Sequence, residues 1–370
     1  MKKLLFLLFA GLLITACTDS DDEGNIDDPN EPVVECVVIE VSGNLNEPTV
    51  WEEGFVYVID GWDLDVNSIL TIEPGAIIKI RNARINVGDE GKILAEGTAD
   101  KRIVFTSLAD DRYCGDTNGD GDATGPEKGH WVSILLNGSV GSVFKYVDIF
   151  YAGQNSGGEN HAVEIGWSQS VAFTFDHCRI AHTFYQSGSN SYAFDGSSYM
   201  KDANISKFTN NAIYDSGRPI YFDAFYTLDT SNIFHNPENP QETNSHNGIF
   251  VNMNTSGSGL SVNWNHTEVP YVSEHVSLLA SHPTATINIG PNVIVKFSRP
   301  GGGLQTQYGN IHLDPSAILT SYKDDEHGGD TNGDGNNSTP AVGDWEGFRY
   351  TEGGNNSYWI QGPNILYAAN

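Results

Sequence analysis

"FKYVDI", "FDHCRI", "MKDANI" and "LDTSNI" end at Ile149, Ile180, Ile205 and Ile233, so an isoleucine returns after 31, 25 and 28 residues. The phrases keep their length while the stretches between them vary. Stacked circuits of a solenoid require this pattern, because each circuit sets the same side chain inward on its neighbour and takes up insertions at its corners. Propeller blades are longer, and immunoglobulin-type sandwiches lack such a register. Around these phrases lie other short apolar runs, among them "LTIEPGAIIKI" (Leu70 to Ile80), "NGIFVNM" (Asn247 to Met253) and "TINIGPNVIVKF" (Thr286 to Phe297). Gly, Asn, Asp, Ser and Pro punctuate them, and no long stretch repeats apolar residues at helical spacing. The pattern predicts an all-β chain wound as a β-helix.

A longer repeat overlies the short one. "LTIEPGAIIKI" from Leu70 matches "INIGPNVIVKF" from Ile287, and "GKILAEGTADKRIVFTS" (Gly91 to Ser107) matches the shorter "GNIHLDPSAILTS" (Gly309 to Ser321). Ser107 to Trp131 aligns without a gap on Ser321 to Trp345, with 13 of 25 positions identical, and "DIFYA" from Asp148 matches "NILYA" from Asn364. The segment 70–152 therefore recurs, shortened, as 287–368. Its most conspicuous part is an acidic loop, "GDTNGDGDATGPEKGHW" (Gly115 to Trp131) in the first copy and "GDTNGDGNNSTPAVGDW" (Gly329 to Trp345) in the second. Each loop is read as one corner of a duplicated set of circuits, with Trp131 and Trp345 opening the strand that re-enters.

The run "LTIEPGAIIKI…GKILAEGTADKRIVFTS…GDTNGDG…GHW" resembles the right-handed parallel β-helix surface lipoproteins of Bacteroidota, which have a pectin-lyase-like architecture. The resemblance covers most of the mature chain. It implies a single-stranded right-handed parallel β-helix over 36–370 with long corner loops. It implies much less about activity, since one such fold hosts lyases, hydrolases, esterases, adhesins and proteins without catalysis.

The N-terminus fits export. A basic head, Met1-Lys2-Lys3, precedes an apolar run from Leu4 to Ile14, too short to span a bilayer and suited to a signal peptide over 1–16. Ile14-Thr15-Ala16-Cys17 resembles a bacterial lipobox, which implies a lipid on Cys17. The following "TDSDDEGNIDDPNEP" is charged and without apolar periodicity, so 17–35 reads as a disordered tether. An acidic run directly behind the lipid cysteine resembles the surface-export signal of Bacteroidota lipoproteins. The expected location is the outer membrane, lipid-anchored and facing the exterior. The formal charge of −29 repels nucleic acid and anionic headgroups and favours cations. With Cys17 lipidated, Cys36, Cys114 and Cys178 can form at most one disulfide and leave one thiol.

The acidic loops carry the clearest chemistry. With Asp116 as position 1, Asn118 and Asp120 fall at 3 and 5, Gly121 at 6, Asp122 at 7 and Glu127 at 12, which is the ligand spacing of an EF-hand calcium loop without its helices. The second copy keeps Asp330, Asn332, Asp334 and Asn336 but has Ala341 where Glu127 stood, unless Asp344 or the Asp324-Asp325 pair substitutes. Asp110-Asp111 offer the same help in the first copy. The expected cofactor is structural calcium, one or two ions.

Catalytic signals are thin. After Trp131 the cations are Lys145, Arg179, Lys201, Lys207 and Arg218, then none until Lys296, which is a poor supply for a lyase. Asp148, Glu159, His161, Glu164, Asp176, His177 and His182 offer acids and bases that nothing in the sequence gathers into one pocket. Asp176, Asp202 and Asp229 share a repeat phrase and read as a turn ladder. No phosphate loop, G-x-S-x-G elbow or H-E-x-x-H motif occurs. Aromatics make up 11% of the chain, with "FYQSGSNSYAF" and "YFDAFY" in the middle circuits, suited either to sugar stacking or to the core. The reading is a non-catalytic binding, adhesion or envelope scaffold protein whose partner is a glycan or an outer-membrane protein. A polysaccharide lyase or glycoside hydrolase, and an accessory subunit of an outer-membrane complex, are the alternatives.

Overall fold

The computed structural model describes residues 36–370 except 139, 155–158, 167–170, 187–189, 197–205, 253–259, 275–276, 281 and 353–355. Cys17, the signal peptide and the tether lie outside the described residues. Cys36–Asn370 forms one compact unit. Among the described residues the regular structure is β apart from one 3-10 turn, Gly121–Ala123, and no helix is long and apolar enough to cross a membrane.

Strands recur in a fixed order through three parallel sheets. The first sheet stacks Val37–Glu40, Phe55–Asp60, Ile77–Arg81, Ile103–Ser107, Val147–Phe150, Arg179–Ala181 and Ala212–Tyr214. The second has ten strands, from Leu64–Val66 to Ile318–Ser321, and the third six, from Thr49–Trp51 to Lys207–Thr209. From Phe55 to Tyr214 every third strand falls in the same sheet, which is compatible with a β-helix. Further on, a three-stranded and a four-stranded sheet replace the first and third, while the second continues. The four-stranded sheet ends on an antiparallel partner, Asn356–Ile360, which closes that edge.

Side-chain alternation explains the stacking. In Ile77–Arg81 the side chains of Ile78 and Ile80 enter the core and Lys79 points out. One inward row of the first sheet runs Tyr57, Ile78, Phe105, Ile149, Ile180, Ile213, each paired with the next and at most 5% exposed. Phe144 and Phe175, which open the first two repeat phrases, form a second row with Phe208, and the rings of Phe144 and Phe175 stack 4.5 Å apart. A row of fully buried aliphatics and aromatics is the main stabilising term for each circuit, at about 1.5–3 kcal/mol per buried side chain.

The phase of the later phrases differs from the expected one. "MKDANI" lies outside the described residues, and the partner of Ile180 is Ile213, from "FTNNAI". At "LDTSNI", Ile233 bridges Ala212, stays half-buried and packs on an outer cluster, while Phe234 fills the core. An amide ladder causes the shift. Asn211 sits at the corner beneath Cys178, accepting from its N–H and donating to Phe175 O, and Asn232 takes the same place under Asn211. Asn232 is one residue later in its phrase than Asn211 is in "FTNNAI", so every following side chain is displaced by one and the inward set changes face.

The aromatic runs divide between both readings. Phe194, Phe222, Phe225 and Tyr226 are core residues. Tyr192 and Tyr221 lie on the outer face of the second sheet, stacked at 4.6 Å and packed with Phe250, Val272 and Tyr322.

Candidate metal centre

Each acidic loop folds back over the outer face of a sheet and is pinned there by an outward but fully buried lysine. Lys79 Nζ donates to Gly115 O (2.8 Å) and Thr117 Oγ1 (2.6 Å), and Lys296 Nζ donates to Gly329 O (2.6 Å) and Thr331 Oγ1 (2.9 Å). Burial pushes both amines below the ordinary lysine range, Lys296 to about 8. The remaining wiring is copied as closely. Thr106 donates to Asp110 and Thr320 to Asp324; Trp131 Nε1 donates to Phe150 O and Trp345 Nε1 to Leu366 O, each at 2.7 Å. The first loop carries an added staple, since Cys114 is disulfide-bonded to Cys36 and Cys178 is the free, buried thiol.

Inside the loops the carboxylates are held by backbone. Asp116 accepts from the N–H groups of Gly119, Asp120 and Gly121, the last at 2.7 Å, and these bonds hold its carboxyl below the usual range. Asp330 accepts in the same way from Asp334 and Gly335. Asn118 donates to Asp120 and Thr124, and Asn332 to Asp334 and Ser338, at matching distances. Gly119 and Gly121, like Gly333 and Gly335, have φ between 66° and 74°, the conformation that lets the chain curl around its own carboxylates.

Three carboxylates converge in the second loop: oxygens of Asp325, Asp330 and Asp334 lie within 4.8 Å of one another. Asp325 Oδ1 and Asp334 Oδ1 are buried without a hydrogen-bond partner, and so are Asp111 Oδ1 and Asn118 Oδ1 in the first loop. Buried oxygens that no donor satisfies, beside further carboxylates, fit a hard cation, which needs six to eight oxygen ligands. Asp111 is raised above the usual carboxylate range by burial and then by Asp116 and Asp120, against the pull of Lys79. Asp325 is raised by burial and by Asp330 and Asp334.

The other loop positions are placed differently. Asp122 lies in the exposed turn Gly121–Ala123, and Asn336 is exposed. Glu127 is turned to solvent, its side chain 84% exposed and its carboxylate 3.8 Å from His130. Of the suggested helpers, Asp325 joins the cluster, whereas Asp344 is taken up by Ser321 and Lys323, Asp324 by Thr320 and His327, and Asp110 by Thr106 and Arg112. Asp111 and Asp325 precede the counted motif, so ligand spacing alone does not select them. The signal for them was the aligned "DD" that both copies retain.

The acids and bases of the middle circuits do not gather. Asp148 is buried between Arg102 (2.7 Å) and Arg179 (3.7 Å) on the first sheet. His161 lies on the second sheet, 3.3 Å from Asp195, and Glu159 and Glu164 belong to the same strand, Glu159–Ile165. Asp176 accepts from Thr209 and Asn210 at a corner, beside His177, whereas Asp229 caps its own turn through Ser231 N–H. Lys145 ends a third-sheet strand and Arg179 begins a first-sheet strand; Lys207 begins one on the third sheet. Lys201 and Asp202 lie outside the described residues. Arg218 pairs with Glu274 at 2.9 Å among Tyr192, Tyr185 and Phe250.

His182 has different company. It meets Asp215 and Glu242 at the edge of a cavity of about 540 Å³ whose lining includes Lys128, Thr183, Tyr185, Asp215, Glu242 and Asn244. No protein-family model, curated protein or solved structure matches this chain.

Proposed function

We propose that this chain is a calcium-stabilised, right-handed parallel β-helix protein of pectin-lyase-like architecture that binds rather than turns over its partner. The carrying observation is the acidic loop built twice with the same internal bonds, leaving buried oxygens without donors in both copies. Calcium there would pull together carboxylates that repel one another and would fasten each loop to the sheet beneath it. The likeness of the N-terminal segment to a lipobox and acidic export signal supports a lipid on Cys17 and an outer-membrane, outward-facing location. The partner on this reading is a glycan or an envelope protein, received by the polar and aromatic cavity beside the first loop.

The test is thermal unfolding after chelation and after calcium is restored, joined to a glycan array and to assays for unsaturated uronides and reducing ends. Calcium that binds only the native state must raise Tm. A Tm indifferent to chelation removes the calcium reading, and turnover of any polysaccharide replaces the binding reading with the enzymatic one.

A further inference from the structure

A second kind of donor set is built into the corner that follows the first sheet. Tyr151, His182 and Asp215 each follow a first-sheet strand, on three successive circuits, with φ of 62°, 55° and 45°. Equal backbone conformation at equal corners sets their side chains in a column. Tyr151 stacks on the His182 ring at 5.0 Å, and His182 Nδ1 lies 2.7 Å from Asp215 Oδ2. Tyr214 meets the imidazole edge-to-face at 5.8 Å. The antiparallel hairpin His235–Asn236 with Asn239–Thr243 then brings Glu242 to the column, where Asp215 N–H donates to Thr243 O. One donor atom each from His182, Asp215 and Glu242 lies within 4.8 Å of the other two.

The donor set differs in kind from the acidic loops. Those offer oxygen alone, as hard cations prefer, whereas an imidazole nitrogen with two carboxylates suits an ion of the zinc class. Donors about 2.0–2.2 Å from one tetrahedral ion lie about 3.3–3.6 Å apart, so the set closes on a metal with relative shifts of at most about 1.5 Å. Asp215 and Glu242 line the cavity, so an ion held there would keep a coordination position open to water or an incoming ligand. Lys128, at the end of the first acidic loop, puts its ammonium 2.7 Å from Asp215 Oδ1 and 2.8 Å from Asp215 O. Its side chain is 44% exposed, so it can swing away into solvent. The second copy has Val342 at the aligned position, 81% exposed and unable to play this part.

We propose that His182, Asp215 and Glu242 form a three-ligand site for a divalent transition ion of the zinc class, for which the Lys128 ammonium is the competing cation. The metal ties two circuits and the hairpin together and presents an open position to the cavity.

The test uses the untagged full chain, stripped of metal and held in excess calcium so that the loops are saturated or irrelevant. Zinc is titrated by calorimetry, and copper(II) is added separately to read nitrogen hyperfine coupling. The expected result is one zinc-dependent site with one coordinated nitrogen. His182→Ala and Glu242→Gln should each weaken zinc by at least about tenfold, the scale of losing support to a metal centre, and Lys128→Ala should tighten it. His182→Ala should also abolish the nitrogen signal. Glu242→Gln and Lys128→Ala keep the proposal exposed if His182→Ala does not fold. No zinc binding, or binding unchanged in folded Glu242→Gln and Lys128→Ala, overturns it. Because calcium is present throughout, failure of the loop reading would show in the chelation experiment and not here.

Discussion

Replacing Phe234 and Ile233 by alanine, one at a time, tests the phase shift introduced by Asn232. Phe234 is fully buried, with His266 edge-on to its ring at 5.1 Å. Truncating a core phenylalanine costs about 3–5 kcal/mol through lost transfer energy and the cavity left behind, so about 4 kcal/mol is expected for Phe234→Ala. Ile233 is half-buried on the outer cluster of Ala212 and Tyr214. Full burial would put Ile233→Ala at about 2–5 kcal/mol, and half burial brings it to about 1–2 kcal/mol. The gap of about 2–3 kcal/mol is well outside the error of urea unfolding read by the buried tryptophans, Trp131, Trp264 and Trp345. The slope of free energy on urea should stay as in the parent, so that midpoints report stability alone. If Ile233→Ala proves as costly as Phe234→Ala, the isoleucine of "LDTSNI" is the core residue, and the amide ladder does not set the phase.

When calcium is titrated by calorimetry, Asp325→Asn should weaken binding at the second loop as much as Asp334→Asn does, while Glu127→Gln should change first-loop affinity by no more than about twofold, as for an ordinary surface substitution. A large loss at Glu127 with none at Asp325 would return the ligand set to the EF-hand count. Stability should also fall in mild acid. Burial holds His130, His246 and His266 below their ordinary value of 6.5, so the unfolded chain takes up protons there that the native chain does not. That linkage makes stability rise with pH up to the unfolded value and level off above it, so Tm should be steady near about pH 7.5 and lower near about pH 5.5. A Tm unchanged across that window would mean that these imidazoles titrate alike in both states.

The sequence by itself determined the all-β class, the circuit-like return of an isoleucine, and the duplicated acidic loops. Each of these is local: strand alternation, turn residues and a near-identical run of letters are visible without knowing what lies beside them. It also carried two successive rungs of the inward row, since Ile149 and Ile180 do pair. The tertiary structure decided the phase at Ile213 and Phe234, because insertions of variable length separate the phrases and one extra turn residue flips the inward face. It decided that Cys36 pairs with Cys114 and leaves Cys178 buried. It also brought Asp325 to Asp330 and Asp334, and His182 to Asp215 and Glu242. His182 and Asp215 are 33 residues apart yet sit on successive circuits. In a stacked chain the neighbours that make a site belong to adjacent circuits, and only the pairing of strands says which residues those are.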